Sequence, residues 1–367
     1  MAFIKVKNMQ KRSICLIISN IGGKGGTERM TFILAEMLSK FGFNVHILSL
    51  IAPNEINHDF SSNIQIDFIL KEKRGNIGKY FFRIQNQIRA YVKCNHINTI
   101  ICVDTMNFIF TLYAQLTRKV DVIAWEHFNF NVNFNKKIRK FSRFLVALFA
   151  YKVVTLTQRD KLLWEKNWFC RTDIVCIPNP VIQLDESNHK EKWEPLFIAI
   201  GRLTYQKGFD RLLGIWQKVS PSLPDWYLNI IGDGEDKKVL EDYISNNHLP
   251  RVKLIPFSNE VNQFYYSASA LLMTSRFEGL PMVLLEAAES GLPAIAYDCE
   301  TGPAEVIIDG ENGFLIDEGD EQKFVNRMTE FANNRELQKT MSIKAEERCA
   351  HFSLDEISKK WLELLDG

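Results

Sequence analysis

Two hydrophobic periods alternate along the chain. Residues 13–19 form a compact apolar run of strand length, and it breaks at Asn20-Ile21-Gly22-Gly23-Lys24-Gly25-Gly26. Beyond the break Met30, Ile33, Leu34, Met37, Leu38 and Phe41 recur at i, i+3 and i+4, which predicts a helix over 27–40. Gly42 closes that helix and 44–50 reads as a second strand. Strand, glycine-rich turn, helix and strand in this order predict a βαβ unit, and its right-handed crossover implies a parallel sheet. The alternation continues, with strands at 99–103, 120–125, 152–156 and 174–177 and helices at 107–116 and 136–150.

Pro178-Asn179-Pro180 and the polar stretch 183–194 interrupt the pattern, and a second series then starts afresh. Strands are expected at 196–201, 226–231, 253–255, 270–274 and 293–297, and helices at 208–219, 237–246 and 281–290. Two helices finish the chain. Ser353-Leu354-Asp355-Glu356 has the spacing of a capping box for the last one, over 354–365. The expectation is an α/β protein of two Rossmann-like domains: 1–182, a linker at 183–194, 195–350, and a terminal helix in 351–367 packing back toward the first domain.

Length and composition agree with two soluble domains: 367 residues, 46% hydrophobic and 24% charged. The net charge of +1 conceals a division, because up to Pro180 there are 26 Lys/Arg against 12 Asp/Glu and afterwards 19 against 32. A basic half attracts phosphate, nucleic acid or an anionic membrane face, or complements the acidic half. The seven cysteines are scattered and none sits at metal-ligand spacing, which predicts a reducing compartment and no structural metal. The N-terminal residues show no signal-peptide pattern. The longest apolar stretch, 144–156, contains Lys152 and is too short to span a bilayer. A cytoplasmic protein is expected.

Three clusters carry candidate chemistry. The turn Gly22–Thr27 lets backbone N–H groups approach an anion, but it lacks the Gly-Lys-Ser/Thr of a Walker loop and the spacing of a dinucleotide fingerprint. Lys24-Gly25-Gly26 resembles the deviant loop of partitioning ATPases, without its second lysine. The segment Gly201-Arg202-Leu203-Thr204-Tyr205-Gln206-Lys207-Gly208 brings two cations to a strand end, where they could clamp a diphosphate. In Glu278-Gly279-Leu280-Pro281-Met282-Val283-Leu284-Leu285-Glu286, Pro281 suits a first helical position and the amides near Leu280, Met282 and Val283 would face an anion. Glu286 falls among apolar neighbours, so its carboxylate needs a polar partner, for which a ribose diol is suited.

Together Gly201-Arg202, Lys207-Gly208 and Glu278-Gly279-Leu280-Pro281 followed by Glu286 resemble the donor site of GT-B-fold glycosyltransferases of family 4. The glycine turn, Ile177-Pro178-Asn179-Pro180, and Gly302-Pro303-Ala304-Glu305-Val306-Ile307 with Gly310-Glu311-Asn312-Gly313 extend the resemblance over nearly the whole chain. It implies two Rossmann-like domains facing across a deep cleft and a retaining, metal-independent transfer of a hexose or N-acetylhexosamine from a nucleoside-diphosphate sugar, by family weight UDP-linked. Arg202 and Lys207 would bind the diphosphate and Glu278 would lie against the donor sugar. The amides after Leu280 would hold phosphate and Glu286 would bind the ribose hydroxyls. Gly25 and Gly26 would line the acceptor side, and His127 in Trp125-Glu126-His127 would stand near the sugar.

The basic half also carries Tyr80-Phe81-Phe82-Arg83 and the stretch 136–149, with cations at one end and apolar residues at the other. We read this half as an address for an anionic membrane, peripheral on the inner face of the cytoplasmic membrane, and for a glycan or polyprenyl-diphosphate-linked acceptor, not for nucleic acid. Rival readings are a sugar-nucleotide epimerase or glycoside phosphorylase on the same fold, an ATPase built on Lys24-Gly25-Gly26, and a non-catalytic binder of nucleotide sugars or nucleic acid.

Overall fold

Strands buried on both faces need no alternation of polar and apolar positions, and the central strands here show none. β1 (Ser13–Ile18) is buried along its whole length, as is β4 (Thr99–Val103). The computed structural model describes residues 12–23, 25–71, 77–133, 137–181, 194–258 and 261–366. The chain divides into two compact units, Met1–Ile177 and Pro178–Gly367.

In the first unit the described elements run β1, α1 (Gly26–Lys40), β2 (Asn44–Ile51), β3 (Gln65–Leu70), α2 (Phe81–Cys94), β4, α3 (Leu112–Arg118), β5 (Asp121–Trp125), α4 (Lys137–Phe149), β6 (Lys152–Thr155), α5 (Gln158–Glu165) and β7 (Asp173–Cys176). All pairings are parallel, in the order β3-β2-β1-β4-β5-β6-β7. The second unit holds β8 (Leu196–Ile200), α6 (Phe209–Val219), β9 (Tyr227–Ile231), α7 (Lys237–Asn246), β10 (Val252–Ile255), α8 (Asn262–Ser267) and β11 (Ala270–Met273). It continues with α9 (Met282–Glu289), β12 (Ala294–Asp298), α10 (Pro303–Val306), β13 (Gly313–Asp317), α11 (Glu321–Ala332), α12 (Arg335–Cys349) and α13 (Leu354–Asp366). Its sheet is also parallel, ordered β10-β9-β8-β11-β12-β13. Each sheet reverses its strand order once, at β1/β4 and at β8/β11. In open parallel sheets the carboxyl ends of the strands flanking such a reversal form the ligand crevice.

The two Rossmann-like series expected from the sequence are present, with differences that have physical causes. The helix expected over 107–116 is a 3-10 turn, Thr105–Phe110, followed by α3. Asp104, at φ 73, caps that turn by accepting from the Met106 amide, and Phe108 and Phe110 are buried beneath it. Helix α2 escaped the reading although Ile84, Ile88 and Val92 repeat at i, i+4 and are buried. β13 is also absent from the sequence reading, because five strand residues between polar turns carry little periodic signal; α11 is absent too, although Phe324, Met328 and Phe331 repeat at helical spacing and are buried. At the start of α13 the Ser353 hydroxyl accepts from the Glu356 amide at 3.4 Å, but the Glu356 carboxylate pairs with Lys359 rather than closing the box.

Candidate functional site

In the second unit the site is assembled where β8 and β11 end. The chain leaves β8 through Gly201, makes a 3-10 turn at Tyr205–Lys207 and enters α6 through Gly208. Gly208 sits at φ 66, and a Cβ there would lie 2.2 Å from the Thr274 carbonyl oxygen, so neither its backbone nor its space admits a side chain. The Thr274 hydroxyl in turn donates to the Gly208 carbonyl at 2.9 Å. This close seating brings the turn against the end of β11, and the Lys207 stem passes within 3.2 Å of where a Cβ of Gly201 would be. Lys207 Nζ consequently donates to Glu278 Oε1 at 2.7 Å, the two side chains being 19% and 7% exposed.

Arg276 completes the clamp. Its guanidinium forks onto Asp210 at 2.8 and 2.6 Å, donates to the Tyr205 carbonyl at 2.8 Å and lies 4.0 Å from the centre of the Tyr205 ring. That fork holds the Asp210 carboxyl below its usual range. Gln206 Nε2 donates to the Phe277 carbonyl at 3.0 Å, and the Thr301 hydroxyl to the Glu278 carbonyl at 2.6 Å. Arg202 is not drawn in. It stands 75% exposed with Nη2 3.4 Å from Glu235 Oε2.

Gly279, Leu280 and Pro281 lead from Glu278 into α9. Pro281 is the residue before the helix, not its first helical position, and Met282 begins it. The first-turn amides of Met282 and Val283 have no carbonyl of their own helix to bond, so α9 presents donors and a positive dipole end beside Glu278. One turn on, Glu286 is buried, and Tyr265 donates its hydroxyl to Glu286 Oε2 at 2.7 Å. The polar partner demanded for Glu286 is thus a tyrosine of α8. Sequence reading missed Tyr265, Arg276 and Gln206, because nothing in their local spacing marks them.

In the first unit the candidates lie at the carboxyl edge of the sheet. Gly25 precedes α1 and Gly26 opens it. Over this turn folds the Glu28 carboxylate, whose oxygens would lie 2.4 Å from a Cβ on Gly23 and 2.9 Å from one on Gly25. A carboxylate there repels the nucleotide phosphate that an ATPase loop would hold, while Lys24 lies outside the described residues. Across the β1/β4 reversal Ser19 Oγ donates to Asn107 Oδ1 at 2.9 Å.

His127 follows β5. It is 9% exposed, its ring lies 4.3 Å from that of Trp125, and its Nε2 is buried with no hydrogen-bond partner among the described residues. Burial lowers its pKa to about 4, against the opposing pull of Asp104, so the imidazole is neutral at neutral pH. The loop carrying it is fixed by buried charges. Arg143 Nε donates to Glu126 Oε2 at 2.7 Å, and its terminal nitrogens donate to the carbonyls of Phe130, Val132 and Asn129 at 2.7 to 2.9 Å. Arg139 forks onto Asp104 at 3.0 and 2.8 Å.

These two arginines correct the sequence reading of 136–149. They are 4% and 2% exposed and point inward on the stripe that also buries Ser142, Val146 and Ala147, so α4 divides its character by face and not by end. The 139, 143, 146 spacing carried that signal. Lys136 lies outside the described residues.

The pattern of the Glycosyl transferases group 1 family matches residues 182–348. Over 355 residues the chain is 32% identical to an uncharacterized glycosyltransferase of Haemophilus influenzae, covering 96% of this chain and 100% of that protein. It is 31% identical over 364 residues to the amylovoran biosynthesis glycosyltransferase AmsD of Erwinia amylovora, covering 96% and 99%. A Campylobacter jejuni α-1,4-N-acetyl-D-galactosaminyltransferase, named for an acceptor built on diphospho-undecaprenol, is 26% identical with 96% and 98% covered. Among solved structures, a point mutant of S. aureus TarM in complex with fondaparinux, α-GlcNAc-glycerol and UDP superposes with a TM-score of 0.81 at 16% identity, covering 97% of this chain and 100% of that one. That likeness is one of fold, the GT-B arrangement of two parallel-sheet domains. With relatives above thirty per cent identity along nearly their full length, the chain belongs to the group 1 glycosyltransferases.

Proposed function

We propose that this transferase takes a hexose or N-acetylhexosamine from a nucleoside-diphosphate sugar, UDP-linked in preference, and passes it with retention to a glycan or polyprenyl-diphosphate-linked acceptor in surface polysaccharide synthesis. The observation that carries the donor assignment is the Lys207–Glu278 pair beside the amino end of α9, with the buried Glu286 one helical stretch beyond. A diphosphate has matching needs: a cation, free amides and a dipole end for its charge, and a carboxylate for the ribose diol.

In this reading Lys207 exchanges part of its contact with Glu278 for the diphosphate, and Arg202 swings from Glu235 to the same group. Developing charge on the leaving diphosphate is then met by Lys207, Arg202 and the amides of Leu280, Met282 and Val283 rather than by a metal ion. Glu278, released on one oxygen, accepts from hydroxyls of the donor sugar, and Glu286 accepts from the ribose. Gly25, Gly26 and the neutral His127 belong to acceptor and sugar positioning in the first unit. UDP is supported by the TarM structure, which binds it, and the lipid-linked acceptor by the name of the C. jejuni relative. The AmsD name supports polysaccharide synthesis.

The test is a panel of sugar nucleotides in EDTA, scored by thermal stabilisation and slow donor hydrolysis. A UDP-sugar is expected to stabilise the protein, and Glu286→Ala to remove the effect. Stabilisation by ATP with magnesium and by no sugar nucleotide would sink the proposal.

A further inference from the structure

Three neighbouring helices of the first unit, α2, α3 and α4, contain no acidic residue. They cover one face of the sheet together: Ile84, Ile88 and Val92 of α2, Ala114 of α3 and Val146 and Ala147 of α4 share a single core with Trp164 of α5. Large apolar side chains nonetheless stand outward on the same elements. Phe82 is 78% exposed, Leu116 79%, Phe141 57% and Phe149 51%, and Trp168, in the turn after α5, is 92% exposed.

The turn and the helix make one aromatic surface. The Trp168 ring lies 5.8 Å from Phe169, and Phe169 lies 5.3 Å from Phe144 of α4, both edge to face. The Thr172 hydroxyl ties the turn to the end of α4 by donating to the carbonyls of Val146 and Ala147 at 3.1 Å. The same elements carry exposed cations, Arg83 and Lys93 on α2, Lys137 and Lys140 on α4, and Lys166 and Arg171 on either side of Trp168 in the chain. Nearby carboxylates do little to offset them. Asp104 and Glu126 are turned inward onto Arg139 and Arg143, and Glu165 lies 3.6 Å from Lys161, while Asp121 and Asp173 are exposed at the starts of β5 and β7.

We infer that the outer face of α2, α3 and α4, with the Trp168 turn, docks onto an anionic lipid bilayer. Aromatic rings set among lysines match the headgroup boundary, where the rings enter the interface and each cation adds attraction to anionic lipid. The inference deepens the membrane-borne acceptor proposed above and is independent of the donor chemistry. It also replaces a general attraction of the basic half by one face, since the two innermost arginines of α4 are unavailable to lipid.

The experiment is sedimentation of the full chain with vesicles of phosphatidylglycerol and phosphatidylethanolamine, compared with phosphatidylcholine alone. Binding is expected only to the anionic vesicles, weakened by high salt. Lys137→Glu with Lys140→Glu is expected to weaken it by at least about tenfold, from roughly 1 kcal/mol per cation, and Phe141→Ser with Trp168→Ser by a similar factor. Melting temperature and donor hydrolysis in solution should be unchanged in both pairs, which shows that they fold. Anionic vesicles should also shift the tryptophan emission to the blue, and Trp168→Phe should abolish that shift. Unchanged vesicle binding in both pairs would overturn the assigned face while leaving a membrane-borne acceptor possible. Absence of binding to any vesicle would overturn both, without touching the donor reading. Displacement from vesicles by RNA at lower concentration than by soluble anionic lipid would reassign the face to nucleic acid.

Discussion

Arg139 and Arg143 of the first unit are 4% and 2% exposed, and their guanidinium groups bond to Asp104, to Glu126 and to loop carbonyls. Arg202 of the second unit is 75% exposed and touches one carboxylate at 3.4 Å, and Lys207 lies between these extremes at 19%. The same residue types do opposite work. Fully enclosed charge, with its hydrogen bonds committed to protein, builds a rigid loop and has nothing left for a ligand. Charge held at one point and open elsewhere can change partners. Beside the first unit's network His127 Nε2 is buried and without a hydrogen-bond partner among the described residues.

Four measurements would break or sharpen this contrast. The largest effect is expected on stability. Arg143→Leu takes from buried Glu126 its nearer guanidinium, leaving Arg139 at 3.9 Å, and should lower unfolding free energy by about 3–5 kcal/mol in denaturant titration. A loss within about 0.5 kcal/mol would mean that the network is not structural. Arg202→Ala should do the reverse, leaving the unfolding midpoint in place because an exposed pair contributes little, while lowering turnover of the donor by roughly a hundredfold if the side chain meets the leaving diphosphate.

His127 gives a pH signature next in size. Its folded pKa, about 4, lies below the ordinary 6.5, so between these values the unfolded chain binds the proton and the folded chain does not. The contribution of the neutral, buried ring is complete above about pH 6.5 and is lost as pH falls toward 4, by roughly 3 kcal/mol. His127→Gln should flatten that part of the stability profile, and an unchanged profile would place the titration elsewhere. The smallest effect is expected from Tyr265→Phe, which deletes one hydrogen bond to Glu286. Stability should change by about 1 kcal/mol, and KM for the donor should rise several-fold with kcat nearly unchanged, because the carboxylate proposed to meet the ribose is less well positioned. A fall in kcat alone would remove Tyr265 from donor binding.

Much of this protein is legible in its sequence where the physics is local. A strand buried on both faces is a continuous apolar run, a helix shows its 3.6-residue period, and a residue such as Gly208 marks a turn, so the two α/β series and the cluster from Glu278 to Glu286 could be read from spacing. The partners of those residues could not. Lys207 meets Glu278 across 71 positions because Gly208 seats its turn on Thr274, and Tyr265 meets Glu286 because α8 and α9 flank β11. The most instructive miss is α4, read as a basic end and an apolar end.

What the sequence by itself determined is the order of elements, the two parallel sheets and the residue types gathered in the proposed donor site, since backbone propensity, hydrophobic period and turn chemistry act over a few residues. What only the tertiary structure decided is which charges are spent. Spacing puts Arg139 and Arg143 on one stripe with Val146, but it does not name their partners. A carboxylate from a strand end 35 residues earlier in the chain holds the first, and one 17 residues earlier holds the second. Burial by distant neighbours sets the free energy of a charge, and sequence distance carries no record of it.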